Sequence, residues 1–525
     1  MGTIETSQVR VDDGLLAGRP MIALVAILLT AGGHTMNLRE MGVSQGWVPA
    51  EVYALQSCYL ISLALAMLAC PVLARGWTCR RLTETGLILA AAGSVLNVLE
   101  VGEPMIVFLI GRAVAGVGAG MVIYFVPHLL DHRWRVAIAW AAILCPVAGP
   151  GAVSLATMMY ESSDWRHGFL FEGGAAVVGL VALWSMSEVC EEVPRRPRGS
   201  VLYLPGLIVG FVALMYVLHW GQLHGWLEAP DVVAALAIAA VALLGSLWMA
   251  WPHLDRLILR ENWARLVLFS FGGFCQFFLG YLMNVYGGMI VNLSSWQRAW
   301  LIWPLPIGIA TSLALSRLRW RHVQVIFGLP GAVLGLVLLA VGLYLCYQRM
   351  LEWPYWDVRD VVDLNWFPAP GHRELAPGRF VMGLGIGLFM VVMDLQFSPD
   401  PDREETIRPL LNVVQFLGGG VAAGVLINFL IIGHKVHYSY SADRSAIQAE
   451  ELSQRVNLLS ETLRQAGQPA PGRSAEVLLY RFVNYEANNL VFVTVYVAFF
   501  FTAVTLAVFF SGLWLWRRWR APAVP

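Results

Sequence analysis

Residues 105–127 read MIVFLIGRAVAGVGAGMVIYFVP, with one charged side chain, Arg112, in the whole run. An α-helix needs about 20 predominantly apolar residues to cross the hydrocarbon core of a bilayer, and this run supplies them. Gly116 and Gly120 are four residues apart and share one helix face, where the missing side chains let a neighbouring helix approach closely. Arg112 falls about a third of the way in. A charge at that depth costs at least about 2.5–3.5 kcal/mol on insertion scales, so it is expected to face a cavity or a partner rather than lipid.

Runs of the same kind recur in both directions from this one. They lie near 20–38, 51–74, 83–101, 105–127, 136–159, 166–187, 201–219, 230–249, 263–285, 297–316, 323–346, 378–397, 407–432 and 488–511. That predicts an all-α integral membrane protein with about fourteen spans, because lipid offers the backbone no hydrogen-bond partner outside a helix or a closed barrel. The runs do not alternate as barrel strands would. Composition agrees. The 525 residues are 58% hydrophobic and only 13% charged, against about 25% charged in soluble domains, and the mean hydropathy is +0.63. A soluble fold and a disordered chain are both excluded. A net charge of +0 removes the electrostatic argument for nucleic acid. The seven cysteines form no CxxC pair and read as small apolar residues.

Arginine placement orients the chain. With the N-terminus cytosolic, 21 of the 35 basic residues fall in inner segments and three in short outer connections (Arg39, Arg166 and Arg298). Residues 1–19 are a polar cytosolic tail without the basic start of a secretory signal. Residues 20–187 are expected to form one six-helix bundle, 201–249 two inserted helices, and 263–511 a second bundle, followed by a cytosolic tail at 512–525. Short basic loops at 73–82 and 315–322 occupy the same place in each bundle, as in transporters built from two related halves. Outer loops are expected at 347–377 and 433–487. Within the second, Leu452, Val456, Leu459 and Leu463 recur at helical spacing and Gly467 follows as a stop. This stripe must be covered by the chain itself, by lipid or by a docking partner.

In the fifth span, Cys145-Pro146-Val147-Ala148-Gly149-Pro150-Gly151 removes two backbone donors and should kink the helix. Taken with Gly111–Gly120, it resembles the paired span-four and span-five motifs of the major facilitator superfamily. Trp165-Arg166-His167-Gly168-Phe169 and Asn412–Gly419 resemble two further motifs, and the span count resembles the 14-span drug:proton antiporters. The likeness covers nearly the whole chain. Glu172 stands where that family has asparagine, Gln415 where it has arginine, and residues 32–37 lack its span-one aspartate.

The resemblance implies a secondary active exporter of an amphiphilic small molecule in a bacterial inner membrane, with both termini cytosolic, working by alternating access and proton antiport. It also implies a periplasmic membrane-fusion adaptor and an outer-membrane channel as partners. A lipid or hydrophobic-metabolite transporter without proton coupling is the alternative, and an intramembrane enzyme is the remaining rival. No HExxH, GxSxG or phosphate-loop pattern is present, and His128 with His132 lies among arginines that disfavour a metal, so no catalytic residue, metal or cofactor is expected. A proton carrier must titrate inside the membrane, as His34, Glu172 and Asp394 can; together with Arg112 they are the proton-coupling candidates. Pro146, Gly149, Pro150 and Gly151 mark the antiporter-type helix. The cavity between halves is expected to be lined by Asn37, Tyr124, Gln276 and Asn284, the last two sharing a helix face with Gly280.

Overall fold

A computed structural model describes residues 13–520 except 32–37, 75, 100–104, 131–136, 139, 145–147, 149–164, 187–202, 251–255, 291–292, 294, 318–328, 352–369, 395–400, 448, 466 and 468. Sixteen α-helices carry the described chain: α1 (Asp13–Ala31), α2 (Leu38–Gln45), α3 (Pro49–Leu73), α4 (Cys79–Val98), α5 (Met105–Phe125), α6 (Arg166–Trp184), α7 (Tyr203–His224), α8 (Pro230–Ala250), α9 (Arg256–Met289), α10 (Ser295–Ile302), α11 (Pro304–Arg317), α12 (Leu329–Leu351), α13 (His372–Asp394), α14 (Pro401–Ile447), α15 (Ala449–Gln465) and α16 (Pro471–Arg520). Among the described residues, nine helices are long and apolar enough to span a membrane, and two shorter apolar ones lie within α1 and α11. Thirteen of the expected spans coincide with a described helix. The fifth, 136–159, lies largely outside the described residues, although 140–144 are helical.

Local chemistry sets the helix ends. Pro49 opens α3 where its missing N–H costs nothing, and Glu51 accepts from the Val48 amide at 2.9 Å. Thr78 caps α4 by accepting from the Arg81 amide at 3.3 Å.

The helices form two bundles. In the first, α5 packs between α3 and α4, and α6 packs on α4 and α1; in the second, α13 packs between α11 and α12, and α16 packs on α12 and α14. The bundles meet along α3 and α14. The antiparallel pair α7–α8 lies beside that junction, with α7 touching both α3 and α14. His219 of α7 fastens it: Nδ1 lies 3.0 Å from the Ala50 carbonyl, which can only accept, and Nε2 lies 2.9 Å from Ser57 Oγ. Ser57 in turn donates to the Gly420 carbonyl at 2.7 Å, and Asn428 donates to the Leu218 carbonyl at 2.6 Å. The inserted pair therefore hydrogen-bonds to both halves.

The two outer segments differ from expectation. Helix α12 runs on to Leu351 and α13 begins at His372, which shortens the first loop at both ends. The second is not a loop. Helix α14 continues through the polar stretch to Ile447, α15 follows, and α16 starts at Pro471, well before its apolar part. Polar side chains do not oppose helix once it extends out of lipid; they only remove the hydropathy signal. The stop at Gly467 is a left-handed turn residue, φ +74°.

The α15 stripe is covered by this chain. Leu459 and Leu463 are buried with Ala475 of α16, and Val456 and Leu478 pack against them; the Leu452 side chain lies outside the described residues. Burial of a leucine is worth about 1.5–3 kcal/mol. Replacing Leu459 and Leu463 together with serine should thus loosen the α15–α16 hairpin and raise hydrogen exchange across 449–480 severalfold. Unchanged exchange would mean that the stripe contributes nothing to the hairpin.

Candidate functional site

In the first half, Arg112 on α5 donates from Nη1 to Glu172 Oε2 on α6 at 2.8 Å, with both side chains almost fully buried. The guanidinium lies over the Tyr59 ring of α3, 4.2 Å from its centroid, and 5.5 Å from that of Phe169. Such stacking on an aromatic face attracts a cation. The Tyr59 hydroxyl donates to the Leu29 carbonyl of α1 at 2.7 Å, so four helices of the bundle converge here. Glu172 Oε1 is buried and accepts no hydrogen bond.

Glycines bring α5 this close. A Cβ on Gly116 would strike the Tyr59 carbonyl, one on Gly118 the Ala90 amide of α4, and one on Gly120 the Leu63 carbonyl of α3. The small-residue stripe read from the sequence is a backbone-to-backbone contact with two neighbours.

A second polar cluster joins the halves. Gln276 of α9 donates to the Ile143 carbonyl at 2.7 Å and approaches Met390 Sδ of α13 at 3.2 Å. Gln415 of α14 donates to the Ala142 carbonyl at 2.8 Å and to Gln276 Oε1 at 3.1 Å. The bond to Ala142 follows from the sequence four residues on. Pro146 has no N–H, so the Ala142 carbonyl lacks its helical donor, and Gln415 supplies one. Along the same face of α9, Gly280 is buried, yet a Cβ there would meet nothing within 4 Å.

The remaining candidates separate. Asn284 Oδ1 accepts from Arg298 Nη1 at 3.1 Å and is held by α10. Tyr124 is buried edge-on against Phe125, ring centroids 4.9 Å apart, near His128 at 5.8 Å and outside the Gln276–Gln415 cluster. Asp394 is the last residue of α13, and its side chain lies outside the described residues. His34, Asn37, Pro146, Gly149, Pro150 and Gly151 also lie outside them. A groove of about 720 Å³ between α12 and α16 is walled by Val337, Tyr344, Phe500 and Val508. Val337, Tyr344 and Val508 are exposed on the bundle's outer surface and Phe500 is half-buried there, where lipid tails would cover them.

Two features carry weight that sequence reading passed over. His219 gave no pattern, being a lone histidine in an apolar run. The other was visible: residues 378–387, GRFVMGLGIG, repeat 111–120, GRAVAGVGAG, with the glycines, the arginine and one valine in register. The structure repeats the packing too. A Cβ on Gly383 would strike the Leu305 carbonyl of α11, and ones on Gly385 and Gly387 would meet Gly335 of α12 and Ile309 of α11. Helix α13 is to α11 and α12 what α5 is to α3 and α4.

No family model matches the sequence, and no curated protein matches it. The fold does match solved structures. A bacterial homologue of the human lysosomal transporter Spinster, crystallised inward-facing and unoccupied, superposes with a TM-score of 0.57 at 12% identity, over 98% of this chain and 100% of that one. Tetrameric PepTSo2 gives 0.56 at 15%, over 95% and 98%. A POT family transporter in complex with a thioalcohol-conjugated peptide gives 0.55 at 12%, over 94% and 96%. The chain is a multi-pass membrane protein with a fold of the major facilitator type.

Proposed function

We propose that the protein is a secondary active transporter that exports an amphiphilic small molecule by alternating access, driven by protons moving inward. The buried Arg112–Glu172 pair is the observation that carries this reading. It offers a carboxylate that can gain a proton in the membrane interior, with its arginine stacked on Tyr59 of α3, one of the two helices along which the halves meet. Protonation would remove the partner charge from Arg112 and change the packing around Tyr59, so the two states of the carboxyl would favour different arrangements of the bundles. Coupling needs that difference in affinity and nothing more. The Gln276–Gln415 cluster, bonded across the seam between halves, fits a cavity that opens when that seam parts.

The antiporter resemblance supports a bacterial inner-membrane location with cytosolic termini, and a periplasmic adaptor leading to an outer-membrane channel. Because Leu459 and Leu463 already pack on α16, an adaptor would dock on other faces of that hairpin. His34 and Asp394 stay as further candidates for the proton path.

Glu172→Gln keeps the shape and removes the titration. In proteoliposomes with an imposed pH gradient, it is expected to abolish uphill export of a fluorescent amphiphile such as ethidium while leaving downhill exchange. Uphill export by Glu172→Gln at the wild-type rate would remove Glu172 from the proton path.

A further inference from the structure

The repeat of 111–120 at 378–387 puts a second arginine, Arg379, where Arg112 stands in the first half. Each is the eighth residue of its helix, one residue after the first glycine of the repeat. Arg379 is also fully buried. Their partners differ. Arg112 is neutralised by Glu172, whereas Nε, Nη1 and Nη2 of Arg379 make no hydrogen bond. The Tyr496 hydroxyl of α16 and the Cys346 thiol of α12 act on Arg379, and among the described residues no carboxylate pairs with it.

A buried guanidinium without a counter-charge carries a large penalty in the membrane interior, and among the described residues of this half only the Tyr496 hydroxyl and the Cys346 thiol act on it. Five donors in a planar fork match a carboxylate or phosphate. The adjoining residue, Gly378, also lines a cleft of about 330 Å³ whose charged walls are Arg349, Arg373 and Glu374.

The geometry points to Arg379 as the recognition site for the anionic head of an amphiphile, a carboxylate or phosphate monoester on an apolar tail. The first half holds its own carboxylate on its arginine; the second takes that carboxylate from a ligand. If the head belongs to transported cargo, the cargo is an organic anion, and this assignment rests on the transporter reading. If it belongs to lipid, the same chemistry anchors a bound phospholipid. Binding is read without transport, so failure of export and failure of this site are separable.

The test is thermal unfolding of the purified full-length protein in a neutral maltoside detergent, titrated with octanoate, octyl phosphate or octanol. Octanoate or octyl phosphate should raise Tm saturably, and octanol should not. Arg379→Gln should weaken the apparent affinity by about tenfold or more, as expected for loss of a charge-assisted contact, and Arg379→Lys should keep part of it. Should a variant fail to fold, the wild-type comparison of octanoate with octanol still decides. A matched titration with phosphatidylglycerol and phosphatidylcholine identifies the source. An Arg379-dependent shift with phosphatidylglycerol alone assigns the head to lipid, and one with octanoate or octyl phosphate assigns it to a free amphiphile. Equal shifts with octanoate, octyl phosphate and octanol together with no preference for phosphatidylglycerol, or anion-dependent shifts that persist in Arg379→Gln, would overturn the site.

Discussion

Arg112→Met should destabilise the protein by about 3–5 kcal/mol, because it strands Glu172 as an uncompensated charge between α5 and α6. The double variant Arg112→Met/Glu172→Leu should recover most of that loss, since two apolar side chains of similar volume replace a desolvated ion pair at little cost. Ordering wild type, single and double variants by thermal unfolding in detergent is the check. The single variant should be lowest, with the double close to wild type. Equal losses in single and double would mean that the stacking on Tyr59, and not the ion pair, is what Arg112 contributes. Arg379→Met should behave in the opposite way. With no partner to strand, it should raise the stability of the ligand-free protein. The two arginines of one repeated motif are thus distinguished by the sign of the same substitution.

Gly116→Leu and Gly383→Leu should each prevent accumulation of folded protein. At both positions even a single Cβ meets backbone carbonyl oxygen, Tyr59 in one case and Leu305 in the other, and a helix backbone cannot yield as a flexible side chain can. Overpacking by a methylene or two costs about 1–3 kcal/mol where neighbours can shift; a leucine at a backbone contact exceeds that. Gly174→Ala and Gly245→Ala are the controls, since a Cβ there meets nothing within 4 Å. Size-exclusion profiles of the fluorescently tagged variants read the outcome. Monodisperse protein from either leucine variant would show that the halves are packed more loosely than the glycines require.

Much of this was legible before any coordinates. Apolar runs located thirteen helices because hydropathy is what the bilayer selects. Arg112 and Glu172 were suspect because buried charges need a reason, and they prove to be each other's reason. Legibility failed where the determinant was not local hydropathy. The stretch 433–447 lost its apolar signal on leaving the membrane while its helix continued. Gln415 looked like a departure from a motif, and its role required knowing that α14 passes beside the Ala142 carbonyl. The duplication at 378–387 needed no structure at all, only a comparison of the chain with itself at the level of ten-residue windows.

Helices α14 and α16 have 47 and 50 residues, about 70 and 75 Å at 1.5 Å per residue, against a hydrocarbon core of about 30 Å. Each runs without a break from the membrane into the hairpin it forms with α15. A rod clamped at one end is a pointer: whatever angle the second half adopts within the bilayer is displayed, enlarged, at the tip near Gly467. A pair of spin labels, one at that tip and one on the first half, would therefore register any tilting of one half against the other as a change in distance larger than the movement at the ion pair itself. The same stiffness makes the hairpin a grip, so that an antibody fragment or a crystal neighbour holding the tip would hold the two halves in a single arrangement.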